Sequence, residues 1–219
     1  TRLIQGEEEI VVSREDMIVV DDAIVALLEG GKIRRLPKRN FTAESIASEK
    51  PVFIMETQTD RRLRFFTSHG NCLIIGVDEL PEARLTAKAT NLNSLVQLEK
   101  DEEIVACFDE VKDDTLVFFT ALGNAKRTEG KEFDLRTKKT AAIALKDDDR
   151  VIAVEKQDET AGTVIMVSKG GMSIRFATDT VPVMGKGAGG VKCMKLDEGD
   201  RVIFAAQIAD EGEILTISD

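Results

Sequence analysis

Asp101-Glu102-Glu103-Ile104-Val105, then Leu116-Val117-Phe118-Phe119-Thr120, then Gly123: an acidic corner, an apolar run, a second apolar run closed by Thr, and a glycine. The same order returns at Asp148-Asp149-Arg150-Val151-Ile152, Val164-Ile165-Met166-Val167-Ser168 and Gly170. Ile104 to Gly123 and Val151 to Gly170 are both 19 residues. Repeats of ~40–50 residues, each holding several short strands, mark a propeller-like array, so the repeat decides the fold.

Working outward, Val52-Phe53-Ile54-Met55 and Leu63-Arg64-Phe65-Phe66-Thr67 lead to Gly70. Ala23 to Leu28 leads more loosely to Gly31. A fifth, incomplete cassette opens at Asp200-Arg201-Val202-Ile203-Phe204 and reaches Ile214-Leu215-Thr216-Ile217-Ser218. The runs are short, rich in Val, Ile, Phe and Thr, and separated by turn formers such as Asp113-Asp114 and Ala161-Gly162. Leu116 to Phe119 and Val164 to Val167 are apolar at every position. Such strands have neighbours over both faces, as in a blade stacked between blades. The expectation is an all-β, propeller-like single domain over 1–219 with four-stranded blades and a lead-in at 1–20. Only residues 84–100 have room for a short helix.

The chain has 219 residues and 42% hydrophobic composition, enough for a sizeable core of aliphatic residues and Phe, with 10 Phe and no Trp or Tyr. Three scattered cysteines without a CxxC pair suggest reduced thiols and a cytoplasmic protein. No apolar run approaches ~18 residues, so no membrane span is expected. The chain opens without Met and stops in mid-cassette, and so reads as part of a longer protein.

Net charge is −10, which taken alone speaks against nucleic acid; the distribution speaks otherwise. Segments 31–50 and 123–146 are each +4 and 170–195 is +3, whereas 1–30, 101–122 and 196–219 are each −6 and 147–169 is −3. In a stacked repeat the same phase falls on the same side of the molecule. Basic phases then gather along one surface, the electrostatic footprint of a nucleic-acid binder. Ordinary mixing of surface charge is the plainer explanation; the periodicity favours the stripe.

Paired bases open the connectors after two glycines, at Gly31-Lys32-Ile33-Arg34-Arg35 and Gly123-Asn124-Ala125-Lys126-Arg127. The pair is reduced to Ile174-Arg175 in the fourth cassette and replaced by Leu73-Ile74 in the second. Arg meets phosphate oxygens in fork geometry; such charges also guard an exposed strand edge against pairing. Candidate phosphate contacts in the first basic connector are Lys32, Arg34, Arg35, Lys38 and Arg39. The second contributes Lys126, Arg127, Lys131, Arg136, Lys138 and Lys139, and the third Arg175, Lys186 and Lys192. Of these, Arg34, Arg35, Lys126, Arg127, Lys138, Lys139 and Lys186 are expected on one continuous rim, with Asp101, Asp148 and Glu211 elsewhere.

Other motifs carry less. Gly185-Lys-Gly-Ala-Gly-Gly190 lacks the spacing of a phosphate loop and reads as a turn needing positive φ. His69, the only His, reads as a solvent-facing turn residue, and one His offers no triad or metal cluster. Asp147-Asp148-Asp149 lacks the register of a calcium loop and reads as solvated corner residues. The Phe65-Phe66 and Phe118-Phe119 pairs sit in mid-strand and read as core. No catalytic residue, cofactor or metal is expected.

A resemblance rests on three stretches. Asp21-Asp22-Ala-Ile-Val-Ala-Leu-Leu-Glu-Gly-Gly31-Lys-Ile-Arg34-Arg35 resembles the opening blade of the C-terminal domain of bacterial type IIA topoisomerase A subunits. Glu15 to Val20 resembles that family's lead-in. Met184-Gly185-Lys186-Gly187-Ala188-Gly189-Gly190-Val191 resembles its Met-Gly-Arg-x-x-x-Gly-Val loop, and Leu196-x-x-Gly199-Asp200-x-Val202 the segment after it. The resemblance implies a β-pinwheel whose blades exchange strands and whose basic rim bends duplex DNA. Gyrase A subunits carry Gln-Arg-Arg-Gly-Gly-Lys-Gly after the first blade, where this chain has Phe41-Thr-Ala-Glu-Ser-Ile-Ala-Ser-Glu-Lys50. The topoisomerase IV type is therefore favoured over the gyrase type.

The resulting expectation is a non-catalytic DNA-binding and DNA-bending domain, monomeric in isolation. Its partners are duplex DNA, the remainder of the topoisomerase chain that carries it, and a separate ATPase chain. The alternatives are a gyrase-type wrapping domain and a protein–protein scaffold propeller. A propeller enzyme ranks third, because convergent catalytic groups are missing.

Overall fold

The computed structural model describes residues 18–42, 44–83, 88–146 and 148–209. The first strands are β1 (Asp22–Leu28), β2 (Lys32–Pro37), β3 (Pro51–Gln58), β4 (Arg62–Thr67) and β5 (Asn71–Gly76). Next come β6 (Thr90–Asn91), β7 (Ile104–Phe108), β8 (Thr115–Thr120), β9 (Asn124–Glu129) and β10 (Lys139–Ala141). Then follow β11 (Val151–Lys156), β12 (Thr163–Ser168), β13 (Ser173–Ala177), β14 (Val191–Lys192) and β15 (Val202–Ile208). The fold is all-β; among the described residues the helical pieces are one four-residue turn, α1 (Glu44–Ala47), and short 3-10 turns. Between 84 and 100 the described helical segment is the 3-10 turn Leu92–Ser94, and 84–87 lie outside the described residues.

The strands form four antiparallel sheets, β3-β1-β2-β6 (sheet A), β7-β4-β5-β10 (B), β11-β8-β9-β14 (C) and β15-β12-β13 (D). Each contains a tight hairpin whose turn holds Gly31, Gly70, Gly123 or Gly170, the cassette glycines. Gly123 has φ +79°, and a Cβ there would stand 2.6 Å from the carbonyl oxygen of Met194, so only glycine fits. In the fourth turn the left-handed residue is Gly171, one beyond the aligned glycine.

The cassette is not a blade. Its first apolar run joins the preceding sheet and its second opens the next: β7 pairs with β4, β8 with β9 and β11. The short strand that finishes each sheet arrives later still, from beyond the next hairpin. β6 follows β5 and returns to β2, β10 follows β9 and returns to β5, and β14 follows β13 and returns to β9. Strands are thus exchanged in both directions, as the resemblance implied.

Strand alternation then explains the continuous apolar runs. Leu116 and Phe118 pack with Phe66, Cys72 and Phe133 between sheets B and C. Val117 and Phe119, on the opposite face, pack with Val164 and Met166 between C and D. The Phe pairs are core, as expected: Phe66 meets Phe118 edge-on at 5.5 Å and Phe133 at 5.1 Å. On the outer face of sheet A, Phe41 and Ile46 of the 38–50 connector cover Ile24, Ala26, Leu28 and Leu36. The three cysteines are free, and burial pushes the Cys72 thiol up to about 12.

The acidic corners have a structural use that the sequence reading missed. Asp101, Asp148 and Gly199 occupy matching left-handed corners, and the residue after each is a carboxylate. Glu102 accepts from Thr67 Oγ1 (2.5 Å), Asn71 Nδ2 (2.7 Å) and the Glu99 amide (2.8 Å). Asp149 accepts from the Leu122 amide and Asn124 Nδ2, and Asp200 from the Gly170 amide. Each acid therefore ties a corner to a hairpin turn, and this is why the acidic corner and the Ser/Thr-x-x-Gly recur together. Asp149 is buried, not the solvated residue expected; Asp147 lies outside the described residues. Burial alone would push the Glu102 carboxyl up, but its three donors and nearby Lys139 hold it below the usual carboxylate range.

Candidate nucleic-acid interface

β11 lies against both β7 and β15, so these three strands form the inner side of the array. The short strands β10 and β14 lie at the opposite, outer edge. Charge follows this radial order. Residues 135–141 carry Arg136, Lys138 and Lys139 and no acid; residues 183–192 carry Lys186 and Lys192 and no acid. The loops at the ends of the strands are acidic: 109–114 hold four carboxylates against Lys112, and 157–162 hold Asp158 and Glu159 without a base. The outer edge is thus basic on a chain of net charge −10.

Of the fourteen expected contacts, Lys32, Lys38, Arg39, Lys131, Arg136, Lys138, Lys139, Arg175 and Lys192 are exposed. Several have carboxylate neighbours: Lys138 with Glu79 at 2.9 Å, Lys139 with Glu99 at 3.3 Å, Lys131 with Glu129 at 2.6 Å, and Lys38 with Glu56. Exposed pairs of this kind contribute roughly 0–1 kcal/mol, so a phosphate competes with them readily. Lys192 Nζ donates to the Leu122 carbonyl and Arg175 to Thr163 Oγ1 and the Ala209 carbonyl. Lys186 is half-buried, and its ammonium forms no ion pair among the described residues.

The paired bases prominent in the sequence behave differently, and the expectation that they lie free on the rim is corrected. Lys126 has 0% of its surface exposed. Its Nζ donates to the carbonyl oxygens of Gly185 (3.0 Å) and Lys186 (3.1 Å) and sits 5.3 Å from the Phe118 ring centre. Desolvation lowers its pKa to about 8, against the opposing pull of Glu132. Arg34 is 4% exposed and bonds Glu49 at 2.8 Å. The partners in each pair point to the other face, yet they too are engaged: Arg127 donates to the Val181 and Asp179 carbonyls, and Arg35 to the Val77 carbonyl. These guanidinium groups clamp the 3-10 turns that belong to the next sheet. A strand-neighbour pattern does not say which face is buried, so the sequence did not separate these residues from the rim lysines.

Two further basic residues went unnoticed in the sequence. Arg64, in the middle of β4, is buried, with its guanidinium on the carbonyls of Phe133, Arg62 and Asp109 and on Asp134. Arg62 donates to the carbonyls of Leu135 and Arg136. The signal for Arg64 was an Arg in an otherwise apolar run, Leu63-Arg64-Phe65-Phe66. His69 is half-buried beside Glu99 (3.5 Å), not solvent-facing. His69, Glu99 and Glu102 bring ligand-type atoms within 4.8 Å, but Glu102 is committed to the hairpin turn and Glu99 to Lys139. Asp101 and Asp148 stand at the corners, where their carbonyls accept from Arg150 and Arg201; Glu211 lies outside the described residues.

Comparison with known proteins bears on this geometry. The family model described as "DNA gyrase C-terminal domain, beta-propeller" matches residues 65–108, 114–158 and 162–209, more than half of the chain. The A subunit of DNA topoisomerase 4 from Streptococcus pneumoniae is 34% identical over 84% of this chain and 24% of its own length. The DNA gyrase A subunit of Escherichia coli K12 is 32% identical over 94% of this chain and 25% of its own length. The chain therefore spans about a quarter of the length of these relatives. A crystal structure of the C-terminal domain of DNA topoisomerase IV superposes with a TM-score of 0.78 at 27% identity, covering 89% of this chain and 63% of that one.

Proposed function

Because the chain belongs to the family of DNA gyrase C-terminal, beta-propeller domains, we propose that its basic outer edge binds and bends duplex DNA without reading bases. The observation that carries this reading is the radial charge order: Arg136, Lys138, Lys139, Lys186 and Lys192 on acid-free edge segments, between acidic strand-end loops. Bending 20–30 bp costs on the order of 1–6 kcal/mol. Phosphate contacts at successive rim strands, each releasing counterions, offset that cost. The fragment supplies no chemistry of its own in this reading. The parent would be an ATP-dependent type IIA topoisomerase, acting in the cytoplasm with a separate ATPase chain, and the arm would present a bent segment to the cleavage core. Among the described residues no helix is long and apolar enough to cross a membrane.

Titration of a fluorescent duplex between 50 and 200 mM salt tests the proposal. Steep loss of affinity with salt, equal for unrelated sequences, is expected; salt-insensitive or absent binding would favour a protein–protein scaffold. Within the family, the 41–50 segment supports a topoisomerase IV-type role over gyrase-type wrapping. It is packed as a cover over sheet A through Phe41 and Ile46, without a basic cluster. Efficient negative supercoiling of relaxed plasmid by the parent enzyme would overturn that choice.

A further inference from the structure

We propose that buried Lys126 is a positioning residue for the rim: by anchoring loop 185–190 it holds Lys186 where DNA passes sheet C. The inference rests on the DNA-binding reading above.

A buried ammonium is costly without a carboxylate partner, and an aliphatic side chain of similar volume would serve a core at least as well. Sheet B shows this solution. Its residue at the matching strand position, three after the turn glycine, is Leu73, buried in the core. Sheets B and C differ in one further respect. In sheet B the chain passes from the 3-10 turn Gly130–Phe133 to β10 through residues 134–138, five in all. In sheet C it passes from Thr178–Thr180 to β14 through 181–190, ten residues, and the excess forms the glycine-rich loop. Sheet A repeats the association, with 80–89 between Val77–Glu79 and β6, and buried Arg34 at the matching position. Within one chain, the buried cation accompanies the long rim connection and the aliphatic residue the short one.

The contacts supply the reason. Lys126 Nζ caps two consecutive loop carbonyls, those of Gly185 and Lys186. The Lys186 amide donates to Glu132 at 2.7 Å and the Ala144 amide to the Ala188 carbonyl at 3.3 Å. The Gly185 carbonyl also accepts the Ala188 amide at 3.0 Å, so the ammonium reinforces that turn and supplies a donor to the Lys186 carbonyl, while the loop is pinned to the neighbouring connector on its other side. A rigid loop spares the ordering entropy that a mobile lysine would lose on meeting a phosphate.

The test is a double-mutant cycle read by duplex binding at about 100 mM salt. Lys186→Ala should weaken binding about threefold to tenfold and lower the salt slope by about 0.9, one phosphate contact. Lys126→Met should do the same with near-native thermal unfolding, the double variant should lose no more than either single one, and Lys126→Arg should restore most of the affinity. Should Lys126→Met fail to fold, Gly189→Ala is the second probe: its Cβ would stand 2.7 Å from the Ala144 carbonyl, displacing the loop without touching a charge. It is expected to cost the same as Lys186→Ala and to be non-additive with it. Additive losses, or full affinity in Lys126→Met or Gly189→Ala, overturn the inference while leaving rim binding intact. A wild-type chain that does not bind duplex overturns the functional reading instead.

Discussion

β9 and the start of the rim strand β10 bear basic pairs of similar appearance, Lys126-Arg127 within β9 and Lys138-Lys139 where β10 begins. Yet the first pair is spent on carbonyls inside the array, and the second stands exposed at its edge. The difference lies in what covers the strand. β9 has sheet neighbours on both sides and loop 185–190 above it, whereas β10, among the described residues, pairs only with β5. Charge density in a sequence therefore measures two things at once, cations that fasten the fold and cations available to a partner.

The most severe way to break that contrast is to reverse one charge in each region. Lys126→Glu sets a carboxylate against two carbonyl oxygens beside a phenyl ring and should cost about 3–5 kcal/mol, lowering the melting temperature by roughly 10 °C. Lys138→Glu should leave melting within about 2 °C, since exposed pairs contribute little. If both variants melt alike, the two regions are not distinct.

The acids sharpen the same contrast. Glu102→Ala leaves Thr67, Asn71 and the Glu99 amide without their acceptor and should cost about 1–3 kcal/mol. Its exposed neighbour Asp101 has φ +61°, and Asp101→Gly should be neutral or mildly stabilising in the same denaturation series. Because the folded-state pKa of Glu102 is depressed, its contribution is present above the ordinary glutamate value of about 4.3 and is lost as pH falls through the lower folded value. Glu102→Gln should flatten acid unfolding below that pH.

Binding provides the next test. Lys138→Ala with Lys139→Ala should lower the salt slope of duplex binding by about 2 and weaken affinity roughly tenfold at 100 mM salt, with melting unchanged. An unchanged slope would remove sheet B's rim from the interface.

The smallest effect belongs to Lys126 itself. Its folded pKa of about 8 lies below the ordinary lysine value of 10.5, so the unfolded chain binds more protons between them and stability rises with pH in that window. From pH 7 to 8 the gain should be roughly 0.4 kcal/mol, and Lys126→Met should abolish it. A gain that persists in the variant would assign the titration to another group.

Strand content and turn glycines were legible because period, Val/Ile/Phe content and glycine each report a local constraint. The partition of strands among sheets was not. Leu116 to Phe119 reads as apolar on both faces whichever neighbours cover it, and nothing in Ile104-Val105 says that this run pairs backwards onto β4. The basic edge was legible as a phase of net charge. Its division into anchors and exposed cations was not, because the burial of Lys126 depends on a loop about sixty residues later in the chain. Asp149 was misread for a similar reason: its donors, Leu122 and Asn124, lie more than twenty residues earlier, in the hairpin turn of the sheet that β11 joins.

The exchange of strands also sets an order of assembly during synthesis. Sheet A lacks its closing strand until Asn91 has been made, sheet B until Ala141 and sheet C until Lys192. In each case a whole further hairpin emerges first, so every nascent intermediate carries one open edge from the sheet behind and one from the sheet in progress. At ~5–20 residues per second, the roughly 50 residues between closures keep such an edge waiting for seconds, long enough for a neighbouring nascent chain to add its own strand there. The lysines of the late-arriving rim strands are, on this view, also the charges that discourage mispairing once the edge is closed.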